Sequence, residues 1–305
     1  GYCNSGIVIK SNCPEFNEGD RVVSNGPHAE IVSAPKHLIA KIPTNLEDEK
    51  AVFTVLGSIA LHGIRLSNPT MGETFFVMGL GLVGLLAVQL LKAHGCKVIC
   101  SDINQKRIAI AEEYGAIGIY QDGLEPAELN SRINDQTNGL GVDSVIIATS
   151  TSSNDPIDIA TMICRKRGRI VLVGTSGLSI NRASFYEKEI SFQVSCSYGP
   201  GRYDVSYEKN GIDYPYPYVR WTEQRNFQAV LDLMDEGKID TKQLISHRYN
   251  IADGEKAFQT LYDKNDSLGI ILKYPGSNKV PIYEMVKTST RTEDSISLGW
   301  IGAGN

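Results

Sequence analysis

Three glycines, Gly79, Gly81 and Gly84, follow the apolar run Thr74 to Met78 and open a second, Leu85 to Leu91; a third run, from Lys97, ends in Asp102, eighteen positions after the last glycine. A G-x-G-x-x-G spacing between strand and helix, with an acid closing the next strand, is the pattern that binds a dinucleotide. Gly79 permits the tight turn out of the strand, Gly81 lets backbone approach a pyrophosphate, and Gly84 lets the helix lie close to the sheet. The amides of Leu82 and Val83 face the phosphates at the positive end of the helix dipole. Asp102 accepts from the adenosine ribose hydroxyls and repels a 2′-phosphate, so the pattern favours NAD over NADP, a preference Arg107 could soften. A glycine-rich turn before a buried helix is the plainer alternative, but it does not account for the ordered strand, helix, strand and acid. Read as a membrane span, Phe75 to Leu91 falls short of the usual ~20 residues and carries glycines and Gln89.

The elements that must position this motif alternate between strand and helix. Apolar runs predict strands at 75–78, 97–101, 142–148, 168–174 and 190–195, and helices over 82–93, 104–114 and 156–164, an α/β fold with a doubly wound parallel sheet covered on both faces. Before them, residues 1 to about 45 read as a small β piece with runs at 6–10, 19–23 and 29–32. A helix is expected from Leu46 to Gly63 with Asn45 as its N-cap. After them, 198–220 is an aromatic, turn-rich segment too irregular for an ordinary connection. Phe227, Val230, Leu231 and Met234 then mark the apolar face of a helix closed by Gly237. A short helix at 254–262 and a strand at 268–273 follow.

In the 305-residue chain, 42% hydrophobic and 21% charged residues are ordinary for a globular protein, and a net charge of −5 gives no footprint for nucleic acid or an anionic membrane. A small-molecule partner is expected. The six cysteines show no C-x-x-C pair and read as reduced thiols of a cytoplasmic protein. The chain opens on Gly1 inside a strand-like run, with neither initiator methionine nor signal peptide, as expected of a fragment of a longer protein.

Together, Gly19-Asp20-Arg21-Val22, Ala29-Glu30, the Gly79 to Asp102 motif, Gly141-Val-Asp143 and Gly168 to Gly174 resemble the medium-chain dehydrogenase/reductase superfamily, which includes zinc alcohol dehydrogenases and zinc-free quinone reductases. The resemblance covers residues 1–274. It implies a partial GroES-like catalytic domain at 1–60, a Rossmann NAD-binding domain at 61–196 and a C-terminal return to the catalytic domain at 197–274. Residues 275–294 read as a linker. Residues 295–305, around Trp300 to Asn305, look like the stub of a second Rossmann-type domain, as in bacterial bi-domain oxidoreductases fused to a Gfo/Idh/MocA-type domain. A disordered apolar tail remains the alternative for so short a stub.

For the cofactor NAD, the resemblance implies pyrophosphate contacts at Gly81, Leu82 and Val83 and ribose contacts at Asp102 with Arg107 nearby. Thr149 falls beside the cofactor, Val173, Gly174 and Thr175 beside the nicotinamide, and the backbone of Ser197 and Tyr198 beside its carboxamide. The metal positions depart from the family. Tyr2 stands where zinc relatives place a histidine, Val55-Leu56-Gly57-Ser58 where a metal cysteine is expected, and Val22 to His28 leave no room for a four-cysteine lobe. No metal is expected.

Without a Lewis acid, donors must face the developing oxyanion. Tyr198, Arg202 and Tyr203 lie on the loop the resemblance sets at the nicotinamide. Tyrosine could exchange the proton and Arg202 hold an anionic group, although all three could merely pack the loop. His62 reads as a packed, hydrogen-bonded histidine and His28 as a weaker candidate. Cys196 reads as a buried inert thiol. Arg165, Lys166 and Arg167 read as satisfying helix C-terminal carbonyls.

The expected function is a zinc-independent NAD(H)-dependent oxidoreductase interconverting an alcohol and a carbonyl on a small polar substrate, with a sugar or nucleotide sugar suggested by the resemblance alone. An NAD-binding regulatory or scaffold module without turnover, and a zinc-free quinone or enoyl reductase, stay open. A homo-oligomer is compatible with the composition.

Overall fold

The computed structural model describes residues 3–262 and 267–275. The linker expected at 275–294, apart from Pro275, and the stub expected at 295–305 lie outside the described residues. All described elements fall in one compact unit, Gly1–Tyr274, which contains the domain boundaries expected near 60 and 196.

A three-stranded antiparallel sheet comes first, in the order β1 (Cys3–Ile7), β2 (Arg21–Asn25) and β3 (Ile39–Lys41). The run 29–32 forms no strand, and β3 pairs with β2 in its place. Pro27 and Pro35 flank the failed run, and each removes a backbone donor that a sheet edge would use.

The helix expected from Leu46 with Asn45 as cap is instead two helices, α1 (Asp48–Ala51) and α2 (Thr54–Leu66), and Glu47 is the first N-cap. Arg21 causes the delay: it donates to the carbonyls of Thr44 (3.2 Å) and Leu46 (2.5 Å) and pairs with Asp48, holding 44–48 as a turn. The hydroxyl of Thr54 donates to the Ala51 carbonyl at 2.6 Å and marks the break between the helices.

The central sheet has six parallel strands in the order β6-β5-β4-β7-β8-β9. In chain order these are β4 (Thr74–Met78), β5 (Lys97–Asp102), β6 (Ile117–Tyr120), β7 (Val142–Ile147), β8 (Cys164–Leu172) and β9 (Ser191–Val194), with α3 (Leu82–Ala93), α4 (Gln105–Glu113), α5 (Pro126–Thr137), α6 (Asp155–Ile163) and α7 (Arg182–Lys188) between them. Side chains alternate across the sheet. Phe75 and Val77 of β4 join the core beneath α2 and α3, while Phe76 and Met78 join the one beneath α5 and α6. Both faces are therefore covered, as the unbroken apolar strands require.

The aromatic segment contains only α8 (Val205–Glu208), which buries Tyr207 between His37 and Tyr214 at ring distances of 4.0 and 5.3 Å. Helix α9 (Glu223–Asp235) buries the four apolar residues expected of it and packs on α2 where Gly57 leaves room for Val230. The parallel pair β10 (Ile245–Asn250) and β11 (Gly269–Lys273), with α10 (Gly254–Tyr262), completes the unit.

Candidate active site

The strand order reverses between β4 and β7, so the loops leaving their carboxyl ends diverge and open a crevice, the usual ligand position in such sheets. Gly79 turns out of β4 with φ +89° while its amide donates to Ser101 O at 2.9 Å. A Cβ there would meet Thr149, and one on Gly84 would overlap the Gly79 carbonyl oxygen. Gly81 differs: a Cβ on it meets nothing within 4 Å. Gly81 is the N-cap of α3, no side chain caps that helix, and the amides of Leu82 and Val83 meet no acceptor among the described residues. Bare amides at a helix start, with open space in front of them, form an anion cradle.

Asp102 closes β5 on the same side. Its Oδ2 accepts the Leu80 amide at 2.6 Å, its Oδ1 accepts the Asn104 amide at 2.9 Å, and Arg107 Nη1 lies 4.0 Å away. Each oxygen keeps a lone pair for a further donor. On the other side of β4, the Thr175 amide donates to Thr149 O at 2.9 Å, and Gly174 lies too close to that carbonyl to carry a Cβ. Val173 occupies the notch left by Gly63 of α2, with Ser195 alongside. Ser197 is half-buried with φ +49°.

Three buried polar atoms along the carboxyl edge of this sheet have no partner among the described residues: Arg107 Nε past β5, Thr149 Oγ1 past β7 and Ser195 Oγ past β9. Each unsatisfied group costs about 1–3 kcal/mol. Such a row, running from Asp102 to Val173, suits a ligand laid across the sheet.

The expected catalytic trio is brought together, with Arg202 over the Tyr203 ring at 4.1 Å and the Tyr198 ring at 5.3 Å, but its members differ in exposure. Tyr198 is 1% exposed, packs against Phe227, and is hydrogen-bonded through its hydroxyl to Asn25. Burial raises its pKa further from the working range. Arg202 is spent on Glu208 at 2.6 Å, and Tyr203 is 71% exposed beside it. Cys196 is exposed, correcting the expected buried thiol, because β9 has already ended and its side chain has no layer above it. His28 is exposed, edge-on to Phe258.

His62 is buried as expected, but its ring takes no hydrogen bond among the described residues and lies against Gly199. Burial and then Arg65 push it down to about 4. Arg165, Lys166 and Arg167 belong to β8. The carbonyls at the end of α6 are taken instead by Lys188, whose Nζ reaches Thr161 O (2.8 Å), Met162 O (2.7 Å) and Cys164 O (2.9 Å). The lysine on the next helix reaches those carbonyls, whereas Arg165 pairs with Asp143 at 2.6 Å and Arg167 with Glu189 at 3.1 Å.

No local pattern marks Glu223, which stands in the first turn of α9, where an acid is ordinary. It is fully buried and neither carboxyl oxygen has a partner among the described residues. Burial, and then Glu208, push it up to about 8 against the pull of Arg202.

Residues 83–209 match the family model described as zinc-binding dehydrogenase. The chain is 25% identical over 267 residues to sorbitol dehydrogenase of Halalkalibacterium halodurans, covering 85% of this chain and 68% of that protein. It is 26% identical over 239 residues to the probable D-xylulose reductase A of Neosartorya fischeri, covering 77% of this chain and 60% of that protein. The structure of 2R,3R-butanediol dehydrogenase from Bacillus subtilis superposes with a TM-score of 0.72 at 23% identity, covering 90% of this chain and 80% of that one. By the family model and these relatives the chain is similar to zinc-binding dehydrogenases, and the solved structure shares its fold. The relatives are enzymes of the alcohol and polyol dehydrogenase type.

The zinc that the superfamily implies does not fit the described residues. Among them, no three His, Cys, Asp or Glu side chains are placed to hold a metal ion. Among the described residues, no helix is long and apolar enough to cross a membrane.

Proposed function

We propose that the chain is the cofactor-binding part of a zinc-independent, NAD(H)-dependent oxidoreductase that interconverts an alcohol and a carbonyl on a small polar substrate. The observation that carries this is the row of unpartnered polar atoms, Arg107 Nε, Thr149 Oγ1 and Ser195 Oγ, running past the bare start of α3. The residues present fit a dinucleotide. Leu82 and Val83 would hold its diphosphate, Asp102 its adenosine ribose, Thr149 the mid-section, and Val173 to Thr175 with Ser197 the nicotinamide end. The bound cofactor supplies the hydride at nicotinamide C4.

The chain's own part is to orient the substrate and manage one proton. Tyr198, Arg202 and Tyr203 are poorly placed for it, since one is sealed, one is neutralised and one faces solvent. Ser195 and His62 are better candidates, being unpartnered among the described residues, with Ser195 beside Gly63 and the His62 ring beside Gly199. A neutral imidazole can both donate and accept, and the low His62 pKa keeps it neutral across the working range. In the full-length protein we propose a second oxidoreductase domain of the Gfo/Idh/MocA type after residue 294.

Transfer of deuterium from C4-deuterated NADH to a panel of aldoses and ketoses, read by mass spectrometry of the product alcohols, tests the reading. Label in a product is expected. Saturable NADH binding with no label in any product would favour a regulatory module.

A further inference from the structure

Trp221 lies between two guanidinium groups. Arg65 of α2 lies 3.4 Å from the ring centroid and Arg220 lies 3.7 Å from it. Two planar groups this close to one ring must take opposite faces. Neither arginine has a carboxylate within ion-pair distance among the described residues, whereas the neighbouring Arg202 and Arg225 are paired with Glu208 and Asp213. Arg65 is half-buried, and burial followed by Arg220 pulls it down to about 10, so it keeps its charge at neutral pH. Two like charges across an indole repel each other and lack a counterion.

The Arg65 group is also aimed. Its Nε donates to Asn226 Oδ1 at 3.0 Å, and Asn226 Nδ2 donates to Tyr198 O at 2.9 Å. One edge of the guanidinium is thereby fixed to the segment following β9, and its Nη donors meet no protein acceptor among the described residues. Through Asn226 the Arg65 group is tied to Tyr198, which directly follows Ser197 and stands three residues after Ser195, the residues proposed for the nicotinamide end.

We propose that Arg65 and Arg220, held apart by Trp221, form the recognition site for a phosphoryl group on the substrate, an inference that rests on the proposed oxidoreductase reading for its place in the cleft. A carboxylate carries one charge and two oxygens, too little to engage donors on both faces of an indole. A phosphomonoester or diphosphate carries about two charges at neutral pH and several acceptors, matching both guanidiniums. The source is either a sugar phosphate or a nucleoside diphosphate sugar.

Calorimetric titration with inorganic pyrophosphate at saturating NADH, on the full-length protein and its Arg220→Gln, Arg65→Gln and Arg182→Gln variants, tests the site. Loss of a charge-assisted contact should weaken binding about tenfold or more at Arg220 and Arg65. Arg182, which lies over Tyr186 at 4.6 Å and has no carboxylate partner among the described residues, should leave it unchanged. Glucose 6-phosphate and UDP-glucose then separate the two sources, and whichever binds tighter names the class. Absence of saturable binding, equal binding by wild type and Arg220→Gln, or unphosphorylated glucose binding as tightly as both, would overturn the proposal. Arg220 is exposed, so its variant should fold even if Arg65→Gln does not. NADH is titrated alone first, so its failure to bind would sink the dehydrogenase reading separately, and saturating NADH then keeps pyrophosphate from the start of α3.

Discussion

Asp102 Oδ2 accepts the backbone amide of Leu80 at 2.6 Å, so the acid that closes β5 also fixes the glycine loop that closes β4. The sequence pattern assigns this acid to a ribose, and the structure adds a second task that is purely structural. Asp102→Ala strands the buried Leu80 amide and should cost about 1–3 kcal/mol by denaturant unfolding. The same variant removes the repulsion of a 2′-phosphate, so the ratio of NADH to NADPH affinity should fall by about tenfold, a shift of ~1.4 kcal/mol. An unchanged ratio would mean that Asp102 serves the loop alone.

Lys188 closes the end of α6 with three carbonyl contacts, a charged donor at the negative end of a helix dipole. Lys188→Met should destabilise the fold by about 1.5–3 kcal/mol, the range for hydrogen bonds to charged groups. Arg167→Ala, which removes only an exposed pair with Glu189, should cost within about 0.5 kcal/mol. Thermal unfolding of both variants separates the two assignments, and equal losses would contradict the one made here.

The elements around the cofactor crevice were legible because fully buried parallel strands are continuous apolar runs punctuated by glycine. The four apolar residues of α9 were legible for the same reason, since their spacing alone gives the buried face. Helix α5 escaped notice because it buries only Leu129, Ile133 and Thr137, a stripe too narrow to stand out against its polar remainder. The Lys188 cap, the Arg202 to Glu208 pair and the Arg65, Trp221 and Arg220 stack were hidden by folding itself. Each joins residues whose mutual approach no local pattern records, and the basic run at 165–167 follows α6 in sequence without capping it in space.

Two buried titratable groups set opposite pH windows. Glu223 has its folded pKa raised from 4.5 to about 8, so the native state holds a proton that the unfolded chain releases. Its contribution is fully present below pH 4.5 and is lost as pH rises through about 8. His62 has its folded pKa lowered from 6.5 to about 4, so its contribution is present above 6.5 and is lost as pH falls through about 4. Glu223→Gln should therefore raise Tm at pH 9 relative to wild type by more than it does at pH 5. His62→Gln should flatten the acid limb between pH 6.5 and 4. Parallel stability profiles for wild type and Glu223→Gln would show that the carboxyl is not held protonated.

The claim on which the functional account stands is that the bare start of α3 holds a diphosphate beside Gly81. The added atoms of Gly81→Val would enter the open space in front of the Leu82 and Val83 amides, whereas Gly84→Val would collide with the Gly79 carbonyl and damage the fold. The direct measurement is NADH titration of wild type and Gly81→Val, with circular dichroism as the control for folding. Saturable binding by wild type, lost by about a hundredfold or more (~2.7 kcal/mol) in a folded Gly81→Val, is the expected result. Equal binding by the two proteins, or none by wild type, would contradict the account.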